Sequence, residues 1–193
     1  MLKRILLCAL ALLAALTASA AALQREQQVL SSKLIRLHVV ASSDSERDQW
    51  EKLRVRDAVL AAAEGMNPEE LERSLPRLQE AAQACLKALG SSSSATVTLG
   101  REHFPTRLYP TFTLPAGVYR AVRVTIGRGE GHNWWCVVFP SICLRASAEE
   151  LEAAAVSAGF TQQELSLITA EGGYVLKLKC MQWLDTLKQL LHQ

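Results

Sequence analysis

The sequence predicts a mixed α/β (α+β) fold: one mostly antiparallel or mixed sheet covered by helices. Three observations carry that expectation. Residues 34–40 alternate between apolar and polar side chains, residues 47–89 repeat at helical spacing, and the second half is dominated by short apolar runs separated by Gly and Pro. The resulting order is strand, helices, several strands, helix, strand, helix, which suits one sheet in one domain.

Each element follows from local chemistry. In Leu34 to Val40, Ile35, Leu37 and Val39 share one face and Arg36 and His38 the other, the pattern of a half-buried strand. Ala41-Ser42-Ser43-Asp44-Ser45 ends it and offers N-cap side chains for a helix from about Arg47 to Ala63. Trp50, Leu53, Ala58 and Leu60 fall near that helix's apolar side, and Gly65 stops it. Asn67-Pro68-Glu69-Glu70 starts the next helix with a cap, a proline in the first turn and an acid three residues after the cap. Its stripe runs through Leu71, Leu75, Leu78, Ala82, Cys85 and Leu89, and Pro76 within it predicts a break and restart. Ser91 to Ser94 form a link.

Ala95 to Leu99 alternates as a strand, whereas Phe104 to Pro110 is too proline-rich for a central one. Leu114-Pro115-Ala116-Gly117 fits a turn, and Val118 to Ile126 a strand with Val118, Val122, Val124 and Ile126 on one face. Trp134 to Phe139 is apolar on both faces, which predicts a strand near the sheet centre. A helix over 148–158, capped by Ser147 and ended by Gly159, precedes a helical turn at 161–167. A strand at Tyr174 to Cys180 and a helix at about 183–191 complete the chain.

The N-terminus bounds the compartment. Lys3 and Arg4, an apolar run from Ile5 to Leu16 and then Ala18-Ser19-Ala20 read as a secretory signal peptide over residues 1–22, with an uncleaved membrane anchor as the alternative. Residues 23–193 form a single extracytoplasmic globular domain on either reading. Loss of Lys3 and Arg4 leaves equal numbers of basic and acidic residues, without the basic footprint of a nucleic-acid binder.

Gly127, Gly129 and Gly131 alternate before His132-Asn133-Trp134-Trp135-Cys136. Glycines so placed permit turns and close approaches that a Cβ forbids. The segment leads into a strand, so the helix N-terminus of a nucleotide loop is missing. His132 and Cys136 invite a thiol-hydrolase reading, but four extended residues span roughly 13 Å, and an apolar strand is a poor setting for a thiolate. The four histidines show no zinc-ligand spacing, so neither metal nor cofactor is expected. Cys136 and Cys143 flank Phe139-Pro140, where a disulfide fits if the turn brings their Cα atoms within about 7 Å. Cys85 and Cys180 lie on apolar faces as core residues. Trp134 and Trp135 must point to opposite faces, one into the core and the other beneath a second layer or out as an anchor.

Five segments in order resemble the stage II sporulation protein R family. They are Leu34 to Val39 with Ala41 to Ser45, Lys52 to Val59, Phe104 to Arg107, Leu114 to Tyr119, and Gly129 to Cys136 followed by an apolar run and Phe139-Pro140. Ser42 and the Ala/Glu-rich segment 146–158 depart from the family pattern. The resemblance implies a secreted signalling protein and no enzyme. It implies export from the forespore into the space between forespore and mother-cell membranes. There the protein would trigger a membrane-embedded aspartic protease that cleaves the precursor of sigma factor E. The partner-binding surface is then expected at His132, Asn133 and whichever of Trp134 and Trp135 is exposed, with Arg107 and Asp44 on neighbouring loops.

Overall fold

The computed structural model describes residues 28–109, 112–141 and 148–169, with isolated helical positions at 3, 4, 10, 14, 17–19, 21, 22 and 25. The first strand, β1 (Ile35–Val40), is followed by helices α1 (Glu46–Ala63), α2 (Pro68–Arg73) and α3 (Leu75–Ala88). Strands β2 (Ala95–Phe104), β3 (Arg107–Leu108), β4 (Thr113–Leu114), β5 (Gly117–Ile126) and β6 (Asn133–Phe139) come next, then helices α4 (Ala148–Ser157) and α5 (Gln162–Thr169). Most of these boundaries follow the sequence signals. The Ser45 side chain caps α1 by accepting from the Asp48 amide, and Asn67 and Glu70 form the reciprocal capping box of α2. The restart at Pro76 is present: α2 ends at Arg73, and Pro76 sits in the first turn of α3.

Strands β2, β5, β1 and β6 form a mixed sheet in that order. β1 runs parallel to β5 and antiparallel to β6, while β2 and β5 pair antiparallel along ten residues each. β3 and β4 form a separate two-stranded ladder. On one side of the sheet, Leu37, Val39, Val97, Val122, Val124 and Cys136 pack with Val55 and Val59 of α1 and Leu78, Ala82 and Leu86 of α3. On the other, Phe104, Tyr119, Ala121 and Val137 pack with Leu30, Leu34, Phe112, Leu114, Ala155, Phe160 and Leu165.

The structure corrects three expectations. β1 is not half-buried: every residue of it is buried, including Arg36 at 0% and His38 at 4% exposure. β6 is not central but an edge of the described sheet; its apolar character comes from cores on both faces. Trp50 is exposed at 44%, because α1 turns Lys52, Val55, Val59 and Ala63 inward instead. β2 also runs five residues past Leu99, and the turn expected at 161–167 is the eight-residue helix α5. The strand at 174–180, the helix at 183–191, the Ser147 cap and most of the N-terminal segment lie outside the described residues. Among the described residues, no helix is long and apolar enough to cross a membrane.

Candidate functional site

Two loops separated by more than eighty residues in sequence meet at one end of the sheet. β1 ends in residues 41–45 and β5 in residues 127–132, because parallel pairing of β1 with β5 brings their C-terminal ends side by side. The amides of Glu130 and Gly131 donate to the carbonyls of Ser42 and Ala41 at 3.3 and 3.0 Å. Gly127 holds a φ of +54°, and a Cβ there would strike the Ser42 hydroxyl. At Gly131 the obstacle is backbone: a Cβ would run into the Ser43 carbonyl. The glycines therefore let two loops lie in contact, which is more than a tight hairpin requires.

His132 sits at the tip of this junction. Its backbone amide donates to Asp44 Oδ1 at 2.7 Å, and its Nδ1 meets the same oxygen. Both side chains are open to water, at 78% for His132 and 55% for Asp44. The His132 hydrogen bond holds the Asp44 carboxyl below its ordinary pKa. From beneath, Lys52 of α1 donates to the His132 carbonyl at 3.0 Å and to the Gln49 side chain. Gln49 in turn donates to the Ser43 carbonyl at 2.9 Å. Lys52 is 5% exposed, and burial lowers its pKa. One buried ammonium thus ties α1 to both loops.

The two tryptophans separate as alternation demands. Trp134 is 37% exposed and lies under the Arg56 guanidinium, whose carbon is 4.4 Å from the ring centroid. Trp135 turns to the opposite face and stacks on the His38 imidazole, with centroids 3.9 Å apart. Arg107 sits over Trp135 at 5.8 Å. The structure therefore brings Asp44 to His132 but sets Arg107 on the face opposite Trp134.

Asn133, itself exposed, ends a part-buried polar chain. His38 Nδ1 is 2.7 Å from Glu102 Oε2, and its Nε2 meets the Asn133 side-chain oxygen at 2.8 Å. Arg123 approaches the other Glu102 oxygen at 3.5 Å. Next along β1, Arg36 donates to the Cys136 carbonyl at 2.9 Å and to the Tyr109 hydroxyl at 3.0 Å, with its guanidinium over Phe104. Burial depresses its pKa, and among the described residues its Nη1 has no partner. None of these buried contacts was foreseen, since Arg36 and His38 read as a solvent face.

The geometry gives a thiol nucleophile no support. Cys136 is 3% exposed, faces the helical core beside Leu37 and is disulfide-bonded, so it carries no free thiolate. His132 is engaged with Asp44 at the surface. Cys85 is free, while Cys143, expected as the partner of Cys136, lies outside the described residues, as does Cys180. Among the described residues no group of three His, Cys, Asp or Glu side chains could hold a metal ion.

Comparison with known proteins agrees with this arrangement of segments. Residues 31–149 match the family model described as stage II sporulation protein R. The chain is 36% identical over 129 residues to Stage II sporulation protein R of Bacillus subtilis (strain 168), a match covering 62% of this chain and 58% of that relative's length. No solved structure matches it. The matched region holds β1 through β6, both junction loops and the buried histidine chain, and on that extent the chain belongs to the stage II sporulation protein R family, a family of sporulation proteins.

Proposed function

We propose that this protein is an exported signal that activates a membrane-embedded aspartic protease of the mother cell, which then cleaves the precursor of sigma factor E. The observation that carries the reading is the surface at the loop junction: Asp44, His132 and Trp134 stand exposed on a base fixed by Lys52. A tryptophan partly open to solvent beside polar groups is the kind of anchor that dominates binding energy at protein contacts. Fixing it beforehand lowers the entropy lost on association.

Two further features support export and the role of a ligand. The N-terminal basic and apolar segment has the grammar of a signal peptide or anchor. Disulfides such as that of Cys136 persist in oxidising, extracytoplasmic compartments. The space between forespore and mother-cell membranes is such a location.

The test is precursor processing in sporulating cells whose own copy is replaced by a variant. With His132→Ala or Trp134→Ala, we expect accumulation of the protein at its normal level and loss of cleaved sigma factor. Normal cleavage in both variants would move the contact elsewhere on the molecule.

A further inference from the structure

His38 is 4% exposed, and both of its ring nitrogens are engaged. Nδ1 faces Glu102 Oε2 at 2.7 Å, and Nε2 faces the side-chain oxygen of Asn133 at 2.8 Å. A carboxylate only accepts, and so does an amide oxygen, so this arrangement calls for a proton on each ring nitrogen. That is the imidazolium form. Packing holds the ring where it is, stacked on Trp135 and edge-on to Phe104. The charged groups around it come from several elements. Arg123 of β5 is 3.5 Å from the second Glu102 oxygen, Arg36 of β1 lies over Phe104, and Arg107 lies over Trp135. Lys33 and Glu164, beside the second core, pair with each other at 2.8 Å. At the Asn133 end stand His132 with Asp44, and Lys52 below the His132 carbonyl.

When the imidazolium gives a proton to water, the nitrogen left bare is Nε2. Nδ1 keeps its proton, because the Glu102 carboxylate accepts and does not donate. The bare Nε2 then faces Asn133 Oδ1 at 2.8 Å, two acceptors in contact with no proton between them. The ring is held, but Asn133 is exposed at the first position of β6, and an amide has two orientations about its last torsion. Turned over, it presents its NH2 group to Nε2 and restores the hydrogen bond. The same turn exchanges the group at the surface. With the oxygen inward the NH2 end lies outward, and with the NH2 inward the oxygen does.

We propose that His38 and Asn133 form a proton-linked switch, in which loss of the second ring proton inverts the Asn133 amide and changes what it offers at the surface from a hydrogen-bond donor to an acceptor. Asn133 stands between His132 and Trp134 in the chain, so the switch resets the hydrogen-bonding character of the loop junction with pH. That consequence for a partner rests on the proposed signalling contact, whereas the switch itself does not.

Nitrogen-detected NMR on the full chain tests it, titrated across about pH 5 to 8, where histidine side chains change charge. At the acid end both His38 ring nitrogens should carry protons, and the Asn133 side-chain protons should exchange freely with water. At the alkaline end Nε2 should be bare, and a coupling across the hydrogen bond should join it to the Asn133 side-chain nitrogen. Exchange of that amide should then slow by about tenfold, the scale of one hydrogen bond. Both changes should share one midpoint. Asn133→Asp, whose carboxylate can only accept, should show no bare Nε2 at the pH where the wild type is half converted. His132→Ala should leave the transition in place. The proposal is overturned if Nε2 loses its proton while the Asn133 amide stays as it was, if neither residue changes over the range, or if the transition disappears in His132→Ala. Inversion observed alongside normal sigma factor cleavage in His132→Ala and Trp134→Ala would uphold the switch and reject only the signalling contact.

Discussion

Two histidines in this protein each meet a carboxylate, and their surroundings give them different work. His38 and Glu102 have side chains only 5% and 19% exposed, and the imidazole is stacked on Trp135. His132 and Asp44 are 78% and 55% exposed, at the tip of a loop junction. Removing a buried partner leaves unpaired polar atoms and a void, whereas an exposed ion pair contributes little to stability. The first pair therefore holds the fold together, and the second is available to a partner. What separates them is that His38 lies against Phe104 and Trp135, which belong to the second core, whereas His132 stands at the surface.

Breaking the buried pair should have the largest effect. His38→Ala is expected to lower unfolding free energy by about 3 kcal/mol, combining a core void with loss of the hydrogen bonds to Glu102 and Asn133. Urea unfolding midpoints would measure it. A loss within about 0.5 kcal/mol, the usual scale of surface changes, would mean that the pair is not structural and would remove the contrast.

Gly131→Ala comes next. The added Cβ meets the backbone carbonyl of Ser43, which cannot rotate away as a side chain could. Relief requires the two loops to part, at a cost of about 2 kcal/mol. The matching signature is faster amide exchange at Glu130 and Gly131, whose amides cross the junction. Unchanged exchange there would show that the loops are not held by this contact.

The smallest effect sharpens the exposed side of the comparison. The hydrogen bond from His132 lowers the Asp44 pKa below its ordinary 3.8. A depressed carboxylate contributes stability above its unfolded pKa and loses it as pH falls through the lower folded value. The Asp44 carboxylate should therefore lose its contribution only as the pH falls below its unfolded value. Carbon-detected NMR titration should show the Asp44 midpoint rising toward 3.8 in His132→Ala. A midpoint that stays put would mean that His132 is not its main partner.

Local signals in the sequence were legible where one residue type has one physical use. Asn67, Pro68, Glu70 and Pro76 fixed the helix boundaries, and adjacency alone assigned Trp134 and Trp135 to opposite faces. The fold class followed from the order of those elements. Long-range coverage was not legible. Arg36 and His38 alternate with apolar residues, as in any half-buried strand; only the layer packed from distant segments makes them buried. Lys52 and Glu102 met their partners across tens of residues, so spacing gave no sign of them. The glycine segment was legible as a site of close approach, but what it approaches, Ala41 to Ser43, became visible only in the tertiary structure.

The most direct measurement is the affinity of the folded protein for the extracytoplasmic portion of the proposed partner protease, compared between wild type and Trp134→Ala. Trp134 is exposed and rests only partly on Arg56, so its removal should leave unfolding free energy within about 0.5 kcal/mol. As an interface anchor it should nonetheless weaken binding by about thirtyfold, the equivalent of about 2 kcal/mol. Equal affinity of the two proteins, with binding intact and melting unchanged, would contradict the assignment of the loop junction as the signalling surface.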